Sequence, residues 1–174
     1  KLIADLFASR GIEFEFVLDE GLPITKNIMP GLPKPLALIG VAEKGYVTLE
    51  LTVEGEGGHS SMPPPHTAVG LLAEAITRLE NNPMPARIAG PTKALFDTAG
   101  PEFDFAQRLV FANLWLLEKV VLAKLSAKTG TNALIRSTLA ATMFQGSVKE
   151  NVLPTKARAL VNSRILPGDT MESI

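Results

Sequence analysis

The residues best suited to chemistry gather in one string, Gly57-Gly58-His59-Ser60-Ser61-Met62-Pro63-Pro64. Histidine is the side chain whose charge and proton position change near neutral pH. Two glycines ahead of it allow unusual dihedrals and close backbone approach, and prolines stiffen the exit, so His59 is presented on a short, constrained loop. A second concentration is the acidic pair Asp19-Glu20 before Gly21. It follows the alternating run Glu13-Phe14-Glu15-Phe16-Val17-Leu18 and so stands at the carboxyl end of an expected strand, where open α/β sheets place ligands. Each group also has a plain structural reading. His59 reads as a surface histidine, Asp19 and Glu20 as loop acids, and His66 as a helix-start residue. Asn151 reads as a turn residue ahead of Pro154. Arg164 shares a strand face with Lys156, Arg158 and Asn162, a face that is solvated by default.

The elements that must position these residues follow from periodicity. Leu2 to Arg10 has helical spacing and Gly11 ends it. Residues 22–35, with Pro23, Pro30, Pro33 and Pro35, are expected to be largely loop, and the apolar run Leu36 to Val41 a short buried strand. A second unit begins near Glu43. Tyr46 to Glu54 alternates strictly, with Val47, Leu49, Leu51 and Val53 on one face. Val69, Leu72, Ala73, Ile76 and Leu79 then recur at helical spacing until Asn81-Asn82-Pro83. Ile135 to Gln145 and Lys156 to Ile165 are two further strands, joined by a turn across residues 146–154, and Thr170 to Ile174 begins a helix. Strand, helix, strand, strand, helix is an α+β order, most of a ferredoxin-like βαββαβ unit whose last strand is truncated. The domains are expected at 1–42, a short α/β fragment, and 43–174, interrupted by a long helical insertion at 83–131.

Composition narrows the function classes. A chain of 174 residues with 46% hydrophobic content suits a globular fold with one ordinary core. Lys+Arg 17 against Asp+Glu 18 gives a net charge of -1, with no field to recruit nucleic acid or an anionic bilayer. RNA binding by the sheet is further disfavoured because its strands offer no aromatic stacking pair. With no cysteine, any metal must be held by His, Asp or Glu. The stretch Phe103 to Leu125 is apolar, but Asp104, Arg108, Asn113, Glu118, Lys119 and Lys124 interrupt it, so it is read as one or two soluble helices and not a membrane span. The first residues lack a signal-peptide cleavage pattern. No compartment is assigned.

The string around His59 resembles the lid-domain motif of the zinc metallopeptidase family that contains carboxypeptidase S, Gly-Xaa carboxypeptidases, aminoacylases and N-acyl amino acid hydrolases. Three other blocks resemble the same family in order. Phe16-Val17-Leu18-Asp19-Glu20-Gly21 is similar to the strand end that supplies a zinc-binding aspartate, with Asp19 at the matching position. Pro35-Leu36-Ala37-Leu38-Ile39-Gly40-Val41-Ala42-Glu43-Lys44-Gly45 is similar to the passage from catalytic domain to lid. Lys149-Glu150-Asn151-Val152-Leu153-Pro154 and Asn162-Ser163-Arg164-Ile165-Leu166-Pro167-Gly168 resemble the family's Asn-Val-Ile-Pro turn and arginine-bearing strand. In the insertion, Asn113-Leu114-Trp115-Leu116 resembles the carboxypeptidase S branch.

The resemblance implies a mechanism shared between two subunits of a homodimer. Two zinc ions in the catalytic domain would activate water and polarise an amide carbonyl, with a glutamate as general base. A histidine matching His59 would reach into the partner's active site and stabilise the oxyanion. Residues matching Asn151 and Arg164 would hold the free carboxylate of a peptide or N-acyl amino acid. The family's His-x-Asp motif, bridging aspartate, Glu-Glu pair and last zinc-binding histidine do not occur here. The chain is therefore expected to be the lid or dimerisation segment of such an enzyme, without hydrolytic activity or tightly bound zinc of its own. The missing last strand leaves a sheet edge that favours self-association. The alternative is a stand-alone, non-catalytic dimerisation or protein-interaction module. Phe96, Phe103, Phe105, Phe111 and Trp115 are expected to be core, although an acyl group would need an apolar surface of this kind.

Overall fold

Leu2–Ser9 form helix α1, and Gly11 follows with φ of 63°, the left-handed geometry that ends helices and that glycine adopts without strain. In the computed structural model, residues 2–16, 22–26 and 29–174 are described. The chain divides into two units, Lys1–Val41 and Ala42–Ile174.

In the first unit, β1 (Ile24–Thr25) pairs antiparallel with β2 (Leu36–Ala37). Two expectations fail here. Residues 13–16 do not form the expected strand, and the rest of that run, with Asp19, lies outside the described residues. The run Leu36 to Val41 is a strand only at its first two residues, and Ile39 and Val41 are 83% and 72% exposed. An apolar run becomes a buried strand only when neighbouring strands and a covering layer exist. Among the described residues of this unit only Leu32 is buried.

The second unit is α+β. Strand β3 (Gly45–Glu54) keeps the predicted alternation at Val47, Leu51 and Val53, the last two turned toward the core, while Leu49 is exposed. After β4 (Gly58–His59) comes helix α2 (Ala68–Asn81), started by Thr67, whose side chain accepts a hydrogen bond from the Gly70 amide at 3.1 Å. His66 directly precedes this cap. Helices α3 (Gly90–Ala99), α4 (Phe105–Ala112), α5 (Leu114–Ser126) and α6 (Thr129–Ile135) follow. The helical insertion thus runs past residue 131, and strand β5 (Thr138–Gln145) begins three residues later than Ile135. Strands β6 (Val152–Leu153) and β7 (Lys156–Ile165) complete the set. The expected terminal helix is a 3-10 turn, Met171–Ser173, closed by reciprocal hydrogen bonds between Thr170 and Ser173.

The sheet is antiparallel in the order β3, β7, β5, so the last strand in sequence lies between the other two. Its inward face carries Ala157, Ala159, Val161 and Ser163. Helix α2 packs on one end of that face, joining Ala68 and Leu72 to Ala157 and Ala159, with Leu51, Val53, Val69 and Ile76 around them.

In the insertion, Asn113 separates α4 from α5, and no helix among the described residues is long and apolar enough to cross a membrane. Phe96, Phe103 and Phe111 form an aromatic cluster with ring centroids 5.0 Å apart. Phe105 and Trp115 are not core as expected but are 73% and 81% exposed, because the inward sides of α4 and α5 carry other residues, the half-buried Phe111 and the buried Val121.

A polar lock ties the insertion to the sheet. Lys44 Nζ donates to the Ala133 and Arg136 carbonyls at 3.0 and 2.9 Å, satisfying free carbonyls at the end of α6. Burial and the nearby Arg164 charge lower the Lys44 pKa, against the opposing pull of Asp169. Buried Ser137 donates to the Asp169 carboxylate and accepts from the Leu166 amide, while Arg87 pairs with Asp169 at 2.8 Å. The Ser137 hydrogen bond, then Arg87, holds the Asp169 pKa below its ordinary value, against the opposing effect of burial. A carboxylate with a depressed folded pKa contributes stability above its unfolded pKa of ~3.9, lost as pH falls toward the folded value. Asp169→Asn is expected to lower the melting temperature at neutral pH and to flatten the acid limb below about pH 4. Melting curves across pH check this, and parallel acid limbs for the two proteins would contradict it.

Candidate functional site

The loop carrying His59 is zipped onto the turn ahead of β7. Gly55 N–H donates to the Thr155 carbonyl at 2.9 Å, Gly58 and His59 pair with Leu153 and Val152, and Ser60 N–H donates to the Asn151 carbonyl at 3.1 Å. Gly57 is demanded by this packing, since a Cβ there would stand 2.8 Å from Thr155 Cγ2. The close approach that the glycines permit is thus to the chain's own turn. Met62 N–H closes the loop by donating to the His59 carbonyl at 3.2 Å.

His59 and Asn151 come together in this way, and both are exposed. The His59 ring is not packed into the core. Its Nδ1 accepts from the Ser61 main-chain N–H at 3.2 Å and lies 2.9 Å from Ser61 Oγ.

Arg164 stands elsewhere. It is exposed near the far end of β7, opposite Tyr46 on β3, with its guanidinium carbon 4.8 Å from the centre of the Tyr46 ring. Arg164 is eight steps along the strand from Lys156, about 26 Å at a rise of ~3.3 Å per residue. His59 and Asn151 precede Lys156, so one chain places them at one end of the sheet and Arg164 at the other. The polar face between is internally paired: Arg158 Nε donates to Gln145 at 2.7 Å, and Asn162 Nδ2 to Thr48 at 3.4 Å. Arg164 differs, since no carboxylate pairs with it among the described residues. A guanidinium stacked on an aromatic ring is held by its face while its N–H groups stay available.

Among the described residues no group of three or more His, Asp or Glu side chains could hold a metal ion. Asp19 lies outside those residues. Two contributors were not singled out from sequence. Ser61 lies two positions from His59, within the same string. Tyr46 meets Arg164 only through a cross-strand register that local sequence does not encode.

Comparison with known proteins gives the family. The peptidase dimerisation domain family matches residues 41–174. The chain is 42% identical over 173 residues to the N-fatty-acyl-amino acid synthase/hydrolase PM20D1 of Xenopus tropicalis, covering 99% of this chain and 34% of that protein. It is 46% identical over 162 residues to the probable carboxypeptidase S-like 2 of Dictyostelium discoideum, covering 92% and 31%. With carboxypeptidase S of Saccharomyces cerevisiae the identity is 33% over 160 residues, covering 86% and 27%. The chain thus spans about a third of the length of the first two of these relatives. No solved structure matches significantly. With a match over residues 41–174, the chain belongs to the peptidase dimerisation domain family.

Proposed function

We propose that this chain is the lid and dimerisation segment of a zinc-dependent carboxypeptidase or N-acyl amino acid hydrolase that cleaves an amide bond next to a free carboxylate. The observation that carries the reading is the contrast along one sheet: Arg158 and Asn162 are tied to neighbours, while Arg164 is propped on Tyr46 with no acidic partner among the described residues. An arginine held so is prepared to meet a carboxylate through two hydrogen bonds. His59, exposed on its hairpin beside Asn151, is suited to donate to the oxygen that gains charge as an amide is attacked.

The separation of the two groups favours a dimer. In such a substrate the scissile amide and the free carboxylate are about one residue apart, so groups separated by about 26 Å of strand cannot meet both, and His59 with Asn151 serves one active site and Arg164 another. In a twofold dimer each active site then receives its oxyanion donor from the partner chain. Asn151 accordingly joins the oxyanion end, away from Arg164. The strand order fits three strands of a ferredoxin-like βαββαβ unit, with the fourth place beside β3 open. The first unit, with little core of its own, fits a piece of a larger α/β catalytic domain.

Zinc would polarise the scissile carbonyl and activate water. The described residues of this chain do not by themselves fit a zinc pair, and their contribution is to donate hydrogen bonds and hold a carboxylate. The name of the PM20D1 relative and the exposed apolar side chains of α4 and α5, Phe105, Leu109, Trp115 and Leu116, favour an N-acyl substrate.

The full-length protein is expected to hydrolyse an N-acyl amino acid and to reject its carboxamide. Arg164→Ala should raise KM about 10- to 100-fold, the scale of a lost charge-assisted hydrogen-bond pair. Arg164→Lys should recover only part, since an ammonium lacks the fork. Steady-state kinetics on the acid and carboxamide pair check this. Equal turnover of both would remove the carboxylate role, and no turnover on any such amide would mark a non-catalytic dimerisation module.

A further inference from the structure

A ring nitrogen that accepts a hydrogen bond from a main-chain amide must carry a lone pair, because the amide has only a proton to offer. His59 Nδ1 is in this position: the Ser61 N–H donates to it at 3.2 Å, and Ser61 Oγ is 2.9 Å away. With the amide already donating, Nδ1 has no proton to give the hydroxyl, which can only share that lone pair as a second donor or turn its proton elsewhere. The amide is held in place because its neighbours are fixed, Ser60 N–H on the Asn151 carbonyl and Met62 N–H on the His59 carbonyl. A proton on Nδ1 would face the Ser61 N–H head to head.

We propose that Ser61 is a positioning residue that fixes the neutral His59 imidazole in the tautomer with its proton on Nε2 and keeps that N–H free as a donor. The tautomer follows from the hairpin alone. Its use as an oxyanion donor rests on the function proposed above. In a tight site the wrong tautomer would present a lone pair to a developing negative charge, a repulsion in place of a hydrogen bond. No covalent change occurs in Ser61 itself.

The test uses the ¹⁵N-labelled 174-residue chain, with long-range proton–nitrogen correlation of the imidazoles at a pH about two units above the ordinary histidine pKa of ~6.5. Histidine in water already prefers the Nε2–H form, so His66 serves as internal reference. It is exposed, and no hydrogen bond to its ring is found among the described residues. The minor tautomer of His59 should be about fivefold or more below that of His66, the effect of one ordinary net hydrogen bond. Ser61→Ala, which keeps the amide, should retain the Nε2–H preference, and Ser61→Pro, which removes it, should return His59 to the His66 ratio. A His59 ratio equal to that of His66 in the unaltered chain, or a protonated Nδ1, overturns the inference whether or not any variant folds. In the full-length protein, Ser61→Thr should keep kcat and Ser61→Pro should lose it. The failures are separable: the predicted tautomer together with an inert His59→Ala substitution would sink the functional reading and leave the tautomer standing.

Discussion

Replacing His59 with alanine in the full-length protein is expected to lower turnover about a hundredfold while changing KM little. This is the scale measured when one oxyanion donor is removed, ~2.7 kcal/mol of transition-state stabilisation. The effect should fall on kcat because the hydrogen bond strengthens only as the carbonyl oxygen gains charge. Folding should be spared. Among the described residues the His59 side chain bonds only to Ser61 in its own loop, and the main-chain pairing with Val152 does not need an imidazole. The melting temperature of His59→Ala should therefore match the unaltered protein within the small range of a surface change. Steady-state kinetics beside a melting curve decide it, and unchanged turnover would remove His59 from the mechanism.

Leu72→Ala should have the largest effect on stability. Leu72 is 0% exposed at the contact of α2 with the sheet, and its buried neighbours are Ala68, Ala157 and Ala159. Alanines have no longer side chain to swing into a void, so the cavity persists and the cost belongs in the upper range for such changes, about 3–5 kcal/mol. Among the described residues the larger side chains packed against this cluster are Leu51, Val53, Val69 and Ile76, at its rim. Against a total stability of ~5–15 kcal/mol this threatens folding altogether. Leu71→Ala is the control, since Leu71 is an exposed neighbour on the same helix and should change stability by about 0.5 kcal/mol or less. Urea denaturation of the two variants compares them, and equal midpoints would contradict this packing.

What could be read from the sequence depended on whether the information was local. The alternation of β3 and β7 and the apolar spacing of α2 each point to a dry face, which the structure keeps except at Leu49 and Ala73, both exposed. The polar face of Lys156, Arg158, Asn162 and Arg164 follows from the same period of two. Pairing between distant segments was not legible. Nothing near His59 announces that Ser60 will donate to Asn151, and nothing near Tyr46 announces Arg164, since registers are set by the whole sheet. The lock of Lys44 on the end of α6 is equally long-range. Leu36 to Val41 misled for the opposite reason: the run has the composition of a buried strand, but burial is decided by what surrounds it. Phe105 and Trp115 show the same for aromatics, because composition cannot say which side of a largely apolar helix will find a partner.

The central claim is that His59 of one chain and Arg164 of another complete a single active site. It is tested most directly by pairing two defective full-length proteins, His59→Ala and Arg164→Ala, co-expressed under different tags so that mixed dimers can be purified. In a mixed dimer, the chain that keeps Arg164 receives an intact His59 from its partner, while the other site lacks both. One site in two is whole, so turnover should return to roughly half that of the unaltered dimer. Mixed dimers as inactive as either parent would contradict the account, for they would mean that both residues act within the same chain.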